Sequence, residues 1–260
     1  MGGSPSRVTK ADRYADDPAT VDDILNNVDT GDVILFRGNG ATAQLVRLWE
    51  WCNYSHVGMV HKRTFPGCSE PLVCLWESVG HLDTLPCLLH GRQKTGPRLV
   101  SLRDKLNGYI AGSGGWQEVR ICVVKLIPQP LDAWGTLDAN LMAFQHQICG
   151  HSVYPTPPQL VSEGMWTLPM GAPIHSPYMP SAPPSPPPPS VYTCEKLIAV
   201  TLVRMQAYQS TLNVDRIHLP SFIDGSISEQ DRHLAVLDVN NYHWTVKRGM
   251  PPHSNVIHYA

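Results

Sequence analysis

The sequence predicts an α+β domain in which an antiparallel, barrel-like sheet drawn from residues 33 to 127 packs against helices. Three observations predict it. Short apolar runs rich in strand formers gather in the first half: "VILFR" (33–37), "SHVGMVHK" (55–62), "PLVCLWES" (71–78) and "WQEVRICVVKLI" (116–127). A well-patterned helix opens abruptly at Cys194 in the second half. The 260 residues carry 42% hydrophobic and 16% charged residues, which suits a globular chain able to bury a core.

The elements follow in order. Residues 1–17 read as a disordered N-terminus, and residues 18–260 as the folded domain. In "PATVDDILNNVDTGD", Thr20 caps a short helix, Asp22 and Asp23 favour its positive end, and Val21, Ile24, Leu25 and Val28 form one stripe. "DTGD" turns the chain into the 33–37 strand. Residues 41–52 have helical spacing through Leu45, Leu48 and Trp49. The strands at 55–62 and 71–78 are joined across "RTFPGCSE", whose Pro-Gly marks a turn. From 79 to 115 the pattern is weak, with "LVSLRDKLNGY" a short helix. Residues 137–150 have helical spacing that stops at Gly150.

Thirteen of the 24 prolines then fall between Pro155 and Pro189. Proline lacks the N–H that ladders and helices need, so about 155–190 reads as an inserted, polyproline-like loop. Such a loop also offers a contact surface for a proline-reading protein partner. After the helix at Cys194, "IHLPSFI" and "RHLAVLDV" read as short strand or loop pieces, and the tail as irregular.

Charge and cysteine usage exclude several classes. A net charge of −2 and a sequence pI near 6.6 give no basic patch for nucleic acid. No apolar run is long enough for a transmembrane segment, and the N-terminus lacks a secretory h-region. "MGGSPS" fits a myristoylation signal formally. Seven cysteines without a C-x-x-C pair suit reduced thiols in a cytoplasmic, reducing compartment better than a disulfide framework. The histidine and cysteine spacing suits no metal site, and no phosphate-cradling or dinucleotide motif implies a cofactor.

Cys194 sits where the helix begins. Unpaired helix N–H groups and the positive dipole end lower a thiol pKa and can hold an oxyanion. The alternative is a small buried hydrophobe under the loop. His56, at the mouth of an apolar strand, is by itself most often a satisfied structural group. Its neighbour changes that reading. If the 55–62 and 71–78 strands pair near Val60 and Leu72, Trp76 or Glu77 lies opposite His56. A carboxylate there fixes the imidazole tautomer and stabilises the imidazolium. The alternative for Glu77 is a solvated residue at a strand end. The three residues are then a nucleophile, a base and an orienter.

"TGDVILFRG", "YSHVGMV", "LWES" and "YTCEKLIAVTL" together resemble the circularly permuted papain-like proteins of the NlpC superfamily, in particular the YiiX-like and poxvirus branch. "GHSVYP" (150–155) and "LPSFIDGS" (219–226) resemble further stretches of that group. "CEKL" stands where the group has "CSEL", and the proline-rich segment is an insertion. The resemblance implies a permuted papain-like fold and a thiol hydrolase that cleaves an amide or ester through an acyl-enzyme. Cys194 would be the nucleophile, His56 the base and Glu77 the third residue, acting on a small-molecule, lipid or peptide substrate. "TCEKLIA" also resembles the lecithin:retinol acyltransferase relatives, which use a histidine as third residue; a residue such as His61 would then take that role. A catalytically idle binding or virion-associated protein is a further alternative.

Overall fold

In a computed structural model, residues 17–38, 41–80, 85–112, 118–155, 191–224, 227, 232–238 and 242–247 are described. They form a mixed α+β structure: an antiparallel sheet of six strands, extended at one edge by a short parallel strand, packed against helices on both faces. The strands are β1 (Asp17–Ala19), β2 (Val33–Arg37), β3 (His56–Arg63), β4 (Leu72–Val79), β5 (Gly96–Ser101), β6 (Glu118–Val124) and β9 (Tyr242–Lys247), in the order β1-β9-β6-β2-β3-β4-β5. A separate ribbon pairs β7 (Leu126–Pro128) with β8 (Ala235–Leu237). Among the described residues no pairing joins β1 to β5, so the expected closure into a barrel is absent.

The helices are α1 (Val21–Asn27), α2 (Ala41–Glu50), α3 (Leu102–Gly112), α4 (Trp134–Cys149) and α5 (Cys194–Arg204). Thr20 caps α1 as the sequence predicts, and Asp23 reaches back to complete a capping box. In α2 the helical spacing is real, but Leu45 and Leu48 are exposed rather than packed inward, as is Trp51 just past the helix end.

Three parts of the sheet escaped the sequence reading. β5 takes Leu99, Val100 and Ser101, which "LVSLRDKLNGY" assigned to a helix; α3 begins only at Leu102. β9 lies beyond residue 127, in "YHWTVK", and pairs with β6 along its whole length. β1 includes Asp17, placed in the disordered N-terminus by sequence. Each is a strand that gains its hydrogen bonds from distant partners, so local pattern carries little of it. The remainder of the expected N-terminal segment, residues 1–16, and most of the proline-rich insertion, residues 156–190, lie outside the described residues.

Alternation along the strands divides the core in two. Val33, Leu35, Val57, Met59, Cys74, Trp76 and Leu99 face α4 and α5. Ile34, Phe36, Val60, Leu75 and Val100 face α1 and α3. Trp76 anchors the first layer: it is fully buried and its Nε1–H donates to Thr201 Oγ1 of α5 at 3.1 Å. Truncating a residue of this kind to alanine typically costs about 3–5 kcal/mol. Through this layer α5 is held against β3 and β4, which brings its first residue to the ends of both strands.

Candidate active site

β3 begins at His56, whose backbone pairs with Phe36 of β2. The β3–β4 register is Gly58 opposite Glu77 and Val60 opposite Leu75, three residues from the pairing near Val60 and Leu72 expected from sequence. The residue opposite His56 is therefore neither Trp76 nor Glu77. Glu77 instead reaches His56 on the diagonal: it opposes Gly58, which shares a strand face with His56 two positions away. A Cβ at Gly58 would lie 2.7 Å from Leu75 Cδ1 and 3.1 Å from the Trp76 carbonyl oxygen, so the position has no room for a side chain.

His56 Nε2 and Glu77 Oε2 are 2.7 Å apart. Glu77 is not a solvated strand-end residue; its side chain is fully buried, while that of His56 is 13% exposed. Its second oxygen accepts from Arg98 Nε at 3.0 Å, Arg98 Nη2 at 2.7 Å and Lys105 Nζ at 2.9 Å. Burial opposes the charge on Glu77, but Lys105, the His56 hydrogen bond and Arg98 outweigh it and hold the carboxyl well below the usual range. Phe36 lies 5.9 Å from the His56 ring and stacks on Tyr109 of α3 at 5.2 Å. Sequence reasoning missed Arg98, Lys105 and Tyr109, because they fall in the stretch with the weakest periodicity. An arginine inside the apolar run "RLV" was the available signal.

Cys194 is the first residue of α5, after the N-cap Thr193, whose side chain accepts from the Lys196 N–H. The strap before it is pinned to the sheet end: Ser78 Oγ donates to the Tyr192 carbonyl at 2.6 Å, and the Val57 N–H bonds the Cys194 sulfur. The thiol thus touches the backbone of the residue that follows His56. By strand alternation, however, Cys194 belongs with Val57 and Met59 on the α5 side, and the His56–Glu77 pair with Phe36 and Val60 on the α3 side. The structure brings His56 and Glu77 into contact; it does not hydrogen-bond His56 to Cys194.

The Cys194 thiol instead donates to Glu195 Oε2 at 3.1 Å. Burial first, then the adjacent Glu195 charge and this hydrogen bond, push the thiol pKa well above the ordinary value. The helix N-terminus was expected to lower it. The backbone N–H groups of Val57 and Glu195 do act in that direction, but desolvation and a neighbouring anion are larger.

Two further groups feel the charge of Glu195, and one of them, Tyr154, also that of Cys194. Burial, then the charge of Glu195, raise Glu50 of α2 to about 7, and His218 Nδ1 lies 3.6 Å from Glu50 Oε2. Leu219 donates its backbone N–H to Glu50, so the "LPSF" segment closes this side. Tyr154, in the "GHSVYP" stretch, is pushed up by burial and by Cys194 and Glu195. Neither Glu50 nor Tyr154 was singled out by sequence. His61 lies elsewhere: its Nδ1 is 3.0 Å from Gln145 Oε1 and its Nε2 is 3.1 Å from Asp138 Oδ1, both on α4. It does not stand as a third residue beside His56. Among the described residues no group of three or more His, Cys, Asp or Glu side chains is arranged to hold a metal, and no helix is long and apolar enough to cross a membrane.

No family model matches the chain, and no curated protein matches it. Among solved structures it is similar to the crystal structure of metalloprotein yiiX from Escherichia coli O157:H7, with 13% sequence identity and a TM-score of 0.38. The match covers 86% of this chain and 98% of that one. A TM-score of this size establishes neither fold family nor activity for the chain.

Proposed function

We propose that the protein is a cysteine-dependent hydrolase with a permuted papain-like fold, cleaving an amide or ester through an acyl-enzyme. The observation that carries this reading is the 2.7 Å His56–Glu77 pair placed at the same sheet end as a cysteine that opens a helix. Glu77, fixed by Arg98 and Lys105, holds one imidazole nitrogen of His56 and leaves the other for proton transfer. Cys194 gives its proton to His56 and attacks the substrate carbonyl. The N–H groups at the start of α5 bind the oxyanion. The imidazolium then protonates the departing amine or alcohol, and water deprotonated by His56 cleaves the thioester.

In the resting arrangement the thiol is protonated and engaged with Glu195. Substrate entry must break that contact and carry the thiol past the end of β3 to His56, which faces the other side of the sheet. The same observation favours a second reading, a catalytically idle binding protein in which Cys194 is a buried structural thiol.

Incubation with an activated acyl ester such as p-nitrophenyl acetate separates the two. A burst of p-nitrophenol with an acetyl adduct on Cys194, lost in Cys194→Ala and strongly slowed in His56→Ala, is the result expected of the hydrolase. Acetylation of lysines alone, unaffected by either substitution, would leave the binding protein.

A further inference from the structure

Cys87 and Cys149 lie 62 residues apart in sequence, yet their sulfurs are 3.3 Å apart and both residues are fully buried. Neither belongs to the site around Cys194. Cys87 sits in a tight turn: its N–H donates to the Arg92 carbonyl at 2.9 Å, and its carbonyl accepts from His90 and Gly91 at 3.1 and 2.7 Å. Cys149 is the last residue of α4, and Lys94 Nζ donates to its carbonyl. Two thiols are thus held in contact by two independently anchored pieces of backbone. We propose that Cys87 and Cys149 are a redox pair that closes to a disulfide when the protein meets peroxide.

A disulfide needs the sulfurs at roughly 2.05 Å, an approach of about 1.3 Å from where they stand. Side-chain rotation with a small shift of the 87–92 turn would have to supply that. Either thiol can donate to the other across this contact, so whichever ionises first is stabilised by the S–H of its partner. Either sulfur can therefore attack, and the products are the same; consider Cys87 in that role. Its thiolate displaces hydroxide from hydrogen peroxide and becomes a sulfenic acid, the proton released going to that hydroxide to give water. Cys149 sulfur then attacks the sulfenic sulfur, and its proton leaves with the departing hydroxyl as a second water. Two thiols are oxidised by two electrons, and one peroxide is reduced to two waters.

The bond would brace the strap that leads to α5. Cys149 is followed by residues 150–153, and Val153 pairs with Val191 while its carbonyl accepts from Tyr192 N–H at 3.0 Å. Gly96, φ +79°, lies so close beneath the strap that a Cβ there would be 2.7 Å from Val153 Cα. A link from Cys149 to the turn at 87 therefore ties the end of α4, and the strap it feeds, to the β4–β5 side of the sheet. In a reducing compartment such a pair rests as thiols and closes under oxidative load, the usual use of a cytosolic disulfide.

The test uses the full-length protein, folded, treated with hydrogen peroxide, then alkylated and digested. The expected product is a peptide joining Cys87 to Cys149, reversed by dithiothreitol, with the other five cysteines still alkylated. The oxidised protein should also resist urea, its unfolding equilibrium constant falling by up to roughly 1,000-fold, as the chain-entropy relation gives for a loop of this length. Cys149→Ala should show no oxidant-dependent gain. Recovery of both cysteines alkylated or as higher sulfur acids, or of either joined to a different cysteine, while circular dichroism stays native, would overturn the proposal. The wild-type peptide map decides the matter even if the Cys149→Ala protein does not fold.

Discussion

Glu77 accepts from His56 on one oxygen and from Arg98 and Lys105 on the other, all within a sheet face sealed by α3. One buried carboxylate thus orients a titratable ring and pairs with two cations. Glu77→Gln is nearly isosteric, and from sequence it would leave the structure almost unchanged. The structure gives a different expectation. The amide removes the carboxylate to which Arg98, fully buried, and Lys105, nearly so, both donate. Removing one partner of a buried ion pair costs about 3–5 kcal/mol, so urea denaturation should show a loss of this order. Unchanged stability would mean that water reaches the cluster in solution. The sign with pH follows from the depressed carboxyl: its stabilisation is present above the ordinary glutamate range and is lost as pH falls through the lowered pKa.

His56→Ala should behave differently. The ring lies at a strand end and is partly exposed, so most of its loss is chemical rather than structural. Removal of a general base typically slows turnover by ~10²–10⁴. Acyl-enzyme formation measured on the folded variant should fall in that range, with the melting temperature changed far less than in Glu77→Gln. Collapse of the fold instead would make His56 structural.

Cys194 should label slowly with iodoacetamide near neutral pH, because burial and Glu195 hold the thiol protonated. The sequence alone pointed to the opposite result. Glu195→Gln removes the adjacent charge, so the labelling rate should rise and its pH midpoint should move down. Rapid labelling of the wild-type protein would show that the Glu195 contact does not persist in solution.

Glu50 offers a pH test. Its carboxyl, raised from 4.5 to about 7, favours the protonated folded state. The contribution is fully present below pH ~4.5 and is lost as pH rises through 7. At about 1.36 kcal/mol per unit the upper bound is roughly 3 kcal/mol. Glu50→Gln should therefore be more stable than wild type at pH 8, and the difference should shrink toward pH 5. A constant difference across that range would mean that Glu50 does not titrate there.

Deleting residues 163–189 should leave the fold intact. Val153 and Val191 are bridge partners, so the two ends of the insertion already lie side by side. The remaining 156–162 and 190 reach up to roughly 26–29 Å, ample for the return. Halving a loop changes closure by only about 0.6 kcal/mol. A large drop in melting temperature would mean that the deleted residues pack into the core.

What the sequence determined by itself was local. The apolar runs at 33–37, 55–62 and 71–78, the Thr20 cap and the helix at Cys194 are readable because the pattern and the capping residue lie within a few positions of each other. The pairing of His56 with Glu77 was legible as chemistry, since an imidazole and a carboxylate on neighbouring strands have few better partners. What only the tertiary structure decided was register, face and electrostatics. Register came out three residues from the sequence-based pairing, because it depends on which side chains fill the core on each face. The strands β5 and β9 draw their hydrogen bonds from residues far away in the chain. The Cys194 pKa turned on burial and a neighbouring carboxylate, which desolvate and oppose a thiolate more than one helix end can favour it. The contact of Cys87 with Cys149 likewise exists only once α4 and the β4–β5 turn are packed together.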